Sequence, residues 1–345
     1  MSAPRSSLVT GGCGFLGRSL VEALVARGDR VTVLDHKVDR WRDDVDFLAG
    51  DICDPAVVER ACDGMTAVYH NASLVHTKHS RVEQVRAVNI DGTRNVLRAC
   101  QRRGVGRLVY ISSASVVYEG RDIENGDETL PYAKSFPAPY AETKRIAEEE
   151  VLKASGQGGT LTVAIRPHMI FGPGDNRLVP AILTKAREGK LKFRVGHRDF
   201  LSDFTYVSNI TDACLAADDR LVPGSPVAGQ AYFITNGEPM TFWEFVRRVL
   251  VGLGYPPPRH TVPRALAYAA AAVRETFDTL VRGGTLHAEE GVSRFAIRYI
   301  CTHHYFSHAK GCPRSCRPAG GSRGRAWPRR GCSSTTRRRS ARSTT

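Results

Sequence analysis

Between residues 8 and 166, short runs of consecutive apolar residues alternate with longer amphipathic stretches. The runs Leu8–Thr10, Val31–Leu34, Phe47–Ala49, Ala67–His70, Leu108–Ser112 and Thr162–Arg166 read as strands buried on both faces. Leu16–Arg27, Val82–Arg103 and Tyr140–Lys153 carry their apolar residues at helical spacing. Apolar strands separated by helices predict an α/β fold with a doubly wound parallel sheet. Past residue 170 the rhythm breaks into loops rich in Gly and Pro with further helices, which predicts a smaller C-terminal lobe over the strand ends. The expected division is a core over residues 1–170, a lobe over 171–310 with some segments returning to the core, and a tail over 311–345.

Charge sharpens that division. The 345 residues carry a net charge of +14, but Gly311–Thr345 holds ten Arg and no Lys, Asp or Glu. Without those ten, 39 basic residues face 35 acidic ones, a balance of +4. A nearly neutral body argues against a specific nucleic-acid binder, which would rest on the tail alone. The tail also lacks Val, Ile, Leu, Met, Phe and Tyr, so it cannot bury enough apolar surface to order itself. Nine widely spaced cysteines suit reduced thiols better than a disulfide framework. No run of eighteen apolar residues is present, and the start has no apolar leader, so a cytoplasmic protein is expected.

The candidate chemistry begins at the first strand. Leu8-Val9-Thr10 runs into Gly11-Gly12-Cys13-Gly14-Phe15-Leu16-Gly17 and then a helical stretch. Glycines at that spacing permit a tight turn, let backbone approach a pyrophosphate and bring the helix close to the sheet. The second strand ends in Asp35, eighteen residues past Gly17, where a carboxylate accepts both ribose hydroxyls and repels a 2′-phosphate. The pattern is a Rossmann-type site for NAD, with NADP the alternative because Lys37 stands nearby. Asp51 and Ile52 suit the adenine end, and Asn71 and Ala72, closing the fourth strand, suit close backbone contact. Asn89 falls within a helix, where capping or a local hydrogen bond would explain it equally well.

Tyr140 and Lys144 stand four apart, on one helix face. Ser112-Ser113 ends an apolar strand on the edge where a doubly wound sheet binds ligands. Serine, tyrosine and lysine together make a proton-transfer site. A phenol titrating near 10 must fall by roughly 3 units to act as base near neutrality, and the Lys144 ammonium with a positive nicotinamide is expected to supply the field.

These residues resemble an extended short-chain dehydrogenase/reductase, and more narrowly the 3β-hydroxysteroid dehydrogenase and sterol-4α-carboxylate 3-dehydrogenase branch. The resemblance runs from residue 7 to about 310 and includes Ser112–Gly120, Asp122–Glu128, Arg166–Asp175, Asp203–Asn209 and Tyr232–Pro239. It implies catalytic roles for Ser113, Tyr140 and Lys144, and cofactor contacts at Gly11, Gly14, Phe15, Leu16, Gly17, Asp35, Asp51, Ile52, Asn71, Ala72, Asn89, Tyr140, Lys144, Pro167 and Ile170. It also implies a sterol-like substrate and a homodimer. Ser208 departs from the family, which usually has Asp there, and Ser73 stands where a second Ala is more common.

Relatives continue past a stretch like Tyr305–Lys310 with Arg/Lys-Asp/Glu-Leu and Gly-Tyr. Codons for Gly311–Cys316 read from their second base can encode Ala-Ala-Arg-Asp-Leu, so a change of reading frame at or just after Lys310 is expected. A 2-alkyl-3-oxoalkanoate reductase, a sugar-nucleotide epimerase using Arg187, Arg194 and Arg198, and a non-catalytic cofactor sensor are the competing functions. Cys301, His303, His304 and His308 do not complete a metal set, so no metal is expected. Ala265–Val273 is apolar throughout and reads as a packing helix, with peripheral membrane contact as the alternative.

Overall fold

The computed structural model describes residues 5–76, 81–196, 199–282 and 293–311. Its strands, in chain order, are β1 (Ser6–Thr10), β2 (Arg30–Asp35), β3 (Asp46–Ala49), β4 (Ala67–His70), β5 (Arg107–Ile111), β6 (Ile123–Gly126) and β7 (Leu161–Pro167). The short β8 (Ile170–Phe171), β9 (Phe193–Val195), β10 (Leu201–Ser202) and β11 (Thr205–Tyr206) follow. Then come β12 (Gln230–Ile234), β13 (Met240–Thr241), β14 (His260–Val262) and β15 (His304–Phe306). Seven of these form one parallel sheet in the order β3-β2-β1-β4-β5-β7-β12. The direction of winding reverses between β1 and β4, which opens a crevice at the carboxyl ends of the strands.

The helices are α1 (Phe15–Arg27), α2 (Pro55–Ala61), α3 (Val82–Arg86), a π-helical turn (Ala87–Asp91), α4 (Gly92–Arg103), α5 (Pro139–Lys153), α6 (Leu178–Arg187), α7 (Val207–Arg220), α8 (Phe242–Gly252), α9 (Arg264–Arg282) and α10 (Arg294–Ile300). Strand alternation assigns them to two layers. Val9, Val33, Tyr69, Val109 and Ile165 face α1 and α7, while Leu8, Leu34, Val68, Leu108 and Ala164 face α2, α4 and α5. Both layers are therefore dry, as the unbroken apolar strands require.

Two features depart from the sequence pattern. The seven-residue α2 is too short to show a periodicity, and its signal is local: Asp54 accepts from the Ala56 and Val57 amides, with Pro55 in the first turn. The stretch expected as one helix over Val82–Arg103 is broken by the π turn that contains Asn89.

α7 and β12 return from beyond residue 170 to complete the core. Their anchor is Asp218 of α7, whose buried carboxylate pairs with Arg27 at 2.9 Å, Arg107 at 2.7 Å and Arg5 at 3.0 Å. Arg27 also donates to the Tyr69 hydroxyl at 3.1 Å. One carboxylate thus ties α1, β5 and the amino-terminal strand to α7. The remaining short strands form a β13-β10-β15-β6 sheet and the pairs β8-β11 and β9-β14, and with α6 and α8 packed around Phe204 and Phe245 they build a lobe over the crevice. Because removing one partner of a buried ionic cluster leaves uncompensated charge, Asp218→Asn is expected to destabilise the fold by about 3 kcal/mol. Urea denaturation measures this, and an unchanged midpoint would contradict the anchoring role.

Candidate active site

The glycine turn joins β1 to α1, and its three spaced glycines do different work. A Cβ on Gly11, at φ +67°, would lie 2.7 Å from the Ala72 Cα, and one on Gly17 would lie 2.1 Å from the Gly11 carbonyl oxygen. Those two are demanded by the chain's own packing. Gly14 meets only the Gly11 oxygen, at 3.3 Å, so its missing side chain leaves the loop open to a ligand at the N-terminus of α1. That open cradle fits a dinucleotide pyrophosphate.

Asp35 is 9% exposed and braces the turn: Oδ2 accepts from the Cys13 amide at 3.0 Å and Oδ1 from the Lys37 amide at 3.2 Å. Asn71 donates to the Gly11 carbonyl at 3.0 Å, with Ala72 against the same glycine. Across the crevice the Phe15 ring lies 3.6 Å from the place of a Cβ on Gly174. Pro167 is buried at the end of β7, and Ile170 pairs with Thr205 of β11. Leu16 belongs to the core, Ile52 packs against Gly92, and Asp51 is exposed with Oδ1 accepting from the Cys53 amide.

Asn89 is buried, and its amide is used by the protein. Oδ1 accepts from the Leu74 amide at 2.7 Å, while Nδ2 donates to the Leu74 carbonyl and to Thr143 of α5. It pins the loop after β4 to the helix that carries the tyrosine and lysine.

Ser112 and Ser113 separate cleanly. Ser112 donates its amide to the Ile165 carbonyl and is buried, its hydroxyl without a partner among the described residues. Ser113 is half-buried, caps a 3₁₀ turn over Ala114–Val117, and its hydroxyl oxygen accepts from the Ser115 amide and hydroxyl at 3.2 and 2.9 Å. Its hydroxyl opposes the upward shift that burial imposes on the Tyr140 phenol.

Lys144 is 2% exposed. Its ammonium donates to the Ile111 carbonyl and lies 4.2 Å from the centre of the Tyr110 ring. Burial pulls its pKa down from 10.5 to about 7, against the opposing pull of Glu148. Tyr140 runs opposite to the expected depression: burial pushes the phenol up to about 12, and Ser113 and Arg177 oppose it. A lysine at about 7 carries only half a charge at neutrality, so the protein's side chains alone do not make Tyr140 a base. Arg177, just past the loop that faces the glycine turn, was not legible as a site residue from spacing. Its charge is felt at Tyr140, and its guanidinium donates to the Val75 carbonyl at 3.4 Å.

Other sequence candidates fall elsewhere. His303 and His304 diverge, His303 accepting from the Leu201 amide and His304 lying within a buried cluster with His168 and Tyr299. Among the described residues no three metal-ligating side chains converge. Arg187 bonds the Tyr255 hydroxyl, Arg194 bonds Thr261, and Arg198 lies outside the described residues, as does the tail beyond Gly311. Asp122 accepts from the His303 amide beside β15 of the lobe and Glu128 from the Phe233 amide of core strand β12, so this stretch joins the lobe to the core sheet. Of the helix expected over Ala265–Val273, Ala271 packs against Ile297 and Cys301, while Leu266 and Val273 are 61% and 71% exposed. No helix among the described residues is long and apolar enough to cross a membrane.

A glycine turn opposed by a serine, a tyrosine and a buried lysine at the strand ends defines a nucleotide-dependent oxidoreductase of the short-chain dehydrogenase class. The chain belongs to the 3-beta hydroxysteroid dehydrogenase/isomerase family, which it matches over residues 8–264. It is 38% identical over 311 residues to the sterol-4-alpha-carboxylate 3-dehydrogenase, decarboxylating, of Mus musculus, covering 90% of this chain and 85% of that protein. It is 39% identical over 304 residues to the 2-alkyl-3-oxoalkanoate reductase of Stenotrophomonas maltophilia, covering 87% and 90%. Among solved structures it resembles gox2253 at 25% identity and a TM-score of 0.71, over 88% of this chain and 90% of that one. A dTDP-glucose 4,6-dehydratase of Streptomyces venezuelae, solved with NAD, is similar at 25% identity and a TM-score of 0.63, over 74% and 84%.

The lysine has a measurable consequence. Its folded pKa lies below its unfolded value, so the unfolded chain binds the proton more tightly, and stability rises as pH climbs from about 7 toward 10.5. Lys144→Met is therefore expected to melt above the wild type at pH 6, with the difference shrinking toward pH 10. Thermal melts across that range check it, and a pH-independent difference would contradict it.

Proposed function

We propose that the protein oxidises the 3β-hydroxyl of a sterol or steroid to the 3-ketone with NAD, and that a substrate bearing a 4α-carboxylate loses it as carbon dioxide. The observation that carries this reading is the open Gly14 cradle at the N-terminus of α1, braced by Asp35, in a chain that sets Ser113 just past β5 and Tyr140 with the buried Lys144 on α5. The family and the names of its relatives supply the substrate class.

Ser113 holds the substrate oxygen, and Tyr140 removes its proton. NAD, when bound, accepts the hydride from the carbinol carbon and brings the positive charge that the buried phenol needs. Asp35 favours NAD over NADP by repelling a 2′-phosphate, and Lys37 makes NADP the second choice. Oxidation at C3 leaves a β-keto acid, whose C–C bond to the carboxylate breaks as its electron pair enters the ketone. The resulting enolate oxygen is stabilised by the same Ser113 and Tyr140 hydroxyls.

The exposed apolar residues of α9, with Phe277 and Leu280 at 59% and 79%, support peripheral membrane contact for a protein handling a lipid substrate. A homodimer rests on the family resemblance, and a cytoplasmic location is our reading of the sequence alone. Three parts, a core over 1–170, a lobe over 171–310 and a frame-shifted tail over 311–345, remain our division of the chain. The second reading, reduction of a 2-alkyl-3-oxoalkanoate, is favoured by the Stenotrophomonas relative, whose identity equals that of the sterol enzyme within one per cent.

NADH formation with 3β-hydroxysterols, with and without a 4-carboxylate, tests the proposal. Tyr140→Phe is expected to lower kcat by about a hundred- to ten-thousandfold. Turnover confined to oxoalkanoates would move the assignment to the reductase, and full activity of Tyr140→Phe would contradict both.

A further inference from the structure

One more ionisable group lies on the catalytic face of α5. Tyr140, Lys144 and Glu148 recur every four residues, and Glu148 is completely buried. Arg166 of β7 grips its carboxylate: Nε lies 3.1 and 3.0 Å from Oε1 and Oε2, and Nη2 lies 2.5 Å from Oε1. Tyr132 donates its hydroxyl to Oε1 at 2.8 Å. Arg166 is 4% exposed and is itself flanked by rings, its guanidinium carbon 5.5 Å from the Tyr132 centroid and 5.1 Å from that of Phe233.

A buried ion pair is a poor stabiliser, because desolvating both ions offsets most of their attraction. Its position suggests another use. The Lys144 ammonium meets the Ile111 carbonyl and the Tyr110 ring of β5, its charge is felt at His70 of β4, and on its own helix Tyr140 stands one turn before it and the buried Glu148 one turn after. His70 is held neutral by burial, its pKa down at about 3, and the two phenols are pushed upward and stay uncharged near neutrality. Glu148 is the anion that opposes the desolvation of Lys144.

We propose that Glu148, fixed by Arg166 and Tyr132, is a positioning residue that keeps the buried Lys144 ammonium charged and so sets the pH range over which the Ser113/Tyr140 site works. Glu148 acts through Lys144 and touches neither substrate nor cofactor. The turnover consequence rests on the dehydrogenase reading, whereas the proton affinity of Lys144 does not.

The test labels the full chain with 15N-lysine and titrates the Lys144 Nζ resonance, assigned by its loss in Lys144→Met. Wild type is compared with Glu148→Gln and with Glu148→Gln/Arg166→Met, the second removing the carboxylate without stranding the guanidinium. The Lys144 midpoint is expected to fall by about one unit in whichever variant folds, and the kcat profile of sterol oxidation to move to lower pH by the same amount. An unchanged midpoint in a folded variant would overturn the proposal. Absence of sterol turnover in the wild type would instead sink the dehydrogenase reading, with the resonance still deciding the role of Glu148.

Discussion

Holding a lysine ammonium out of water at the end of β5 is the constraint around which this site is arranged. The cost of burying that charge is met by one carbonyl, one aromatic face and one carboxylate. They come from two parts of the fold: the Ile111 carbonyl and Tyr110 ring from β5, and Glu148 from α5 with its Arg166 clamp in the neighbouring strand β7. The parallel register of β5 and β7, with Ile111 opposite Ile165, brings these parts together. Asn89 adds a brace from the other side, joining the loop after β4 to Thr143, one residue before the lysine.

The same burial explains why the tyrosine is weakly acidic by itself. Desolvation acts on both groups in the direction of neutrality, lowering the lysine and raising the phenol. A neutral, dry crevice suits an apolar ring substrate, and proton abstraction then waits on a positive charge placed beside Tyr140. Within that picture the cofactor supplies charge as well as redox chemistry, and Ser113 and Arg177 reinforce it.

Much of this was legible from residue order. The alternating apolar runs located six of the seven core strands because both faces of a parallel sheet are dry. Gly11–Gly17 and Asp35 were legible because turn geometry and ribose recognition demand particular residue types at fixed spacing. Ser113 is favoured over Ser112 by the strand register that matches it to the family's catalytic hydroxyl; in the structure the Ser112 hydroxyl is sealed in while Ser113 is half-buried. What stayed hidden depends on long-range contact. The Glu148–Arg166 clamp spans eighteen residues with no local signature, and Arg177 reaches Tyr140 only through the fold. The stretch Asp122–Glu128 carries part of the family resemblance, and its carboxylates hold backbone amides of His303 in the lobe and Phe233 in the core sheet. Some segments past residue 170 are expected to return to the core, but residue order does not say which; β12 and α7 do, and Asp218 binds α7 to three arginines of the core.

The most direct measurement is the ionisation of Tyr140 itself, followed by ultraviolet difference absorbance between wild type and Tyr140→Phe with and without NAD. The account predicts no Tyr140-dependent phenolate below about pH 10 in the protein alone, and its appearance at distinctly lower pH once NAD is added. Identical titrations with and without NAD would contradict the claim that the cofactor's charge completes this site.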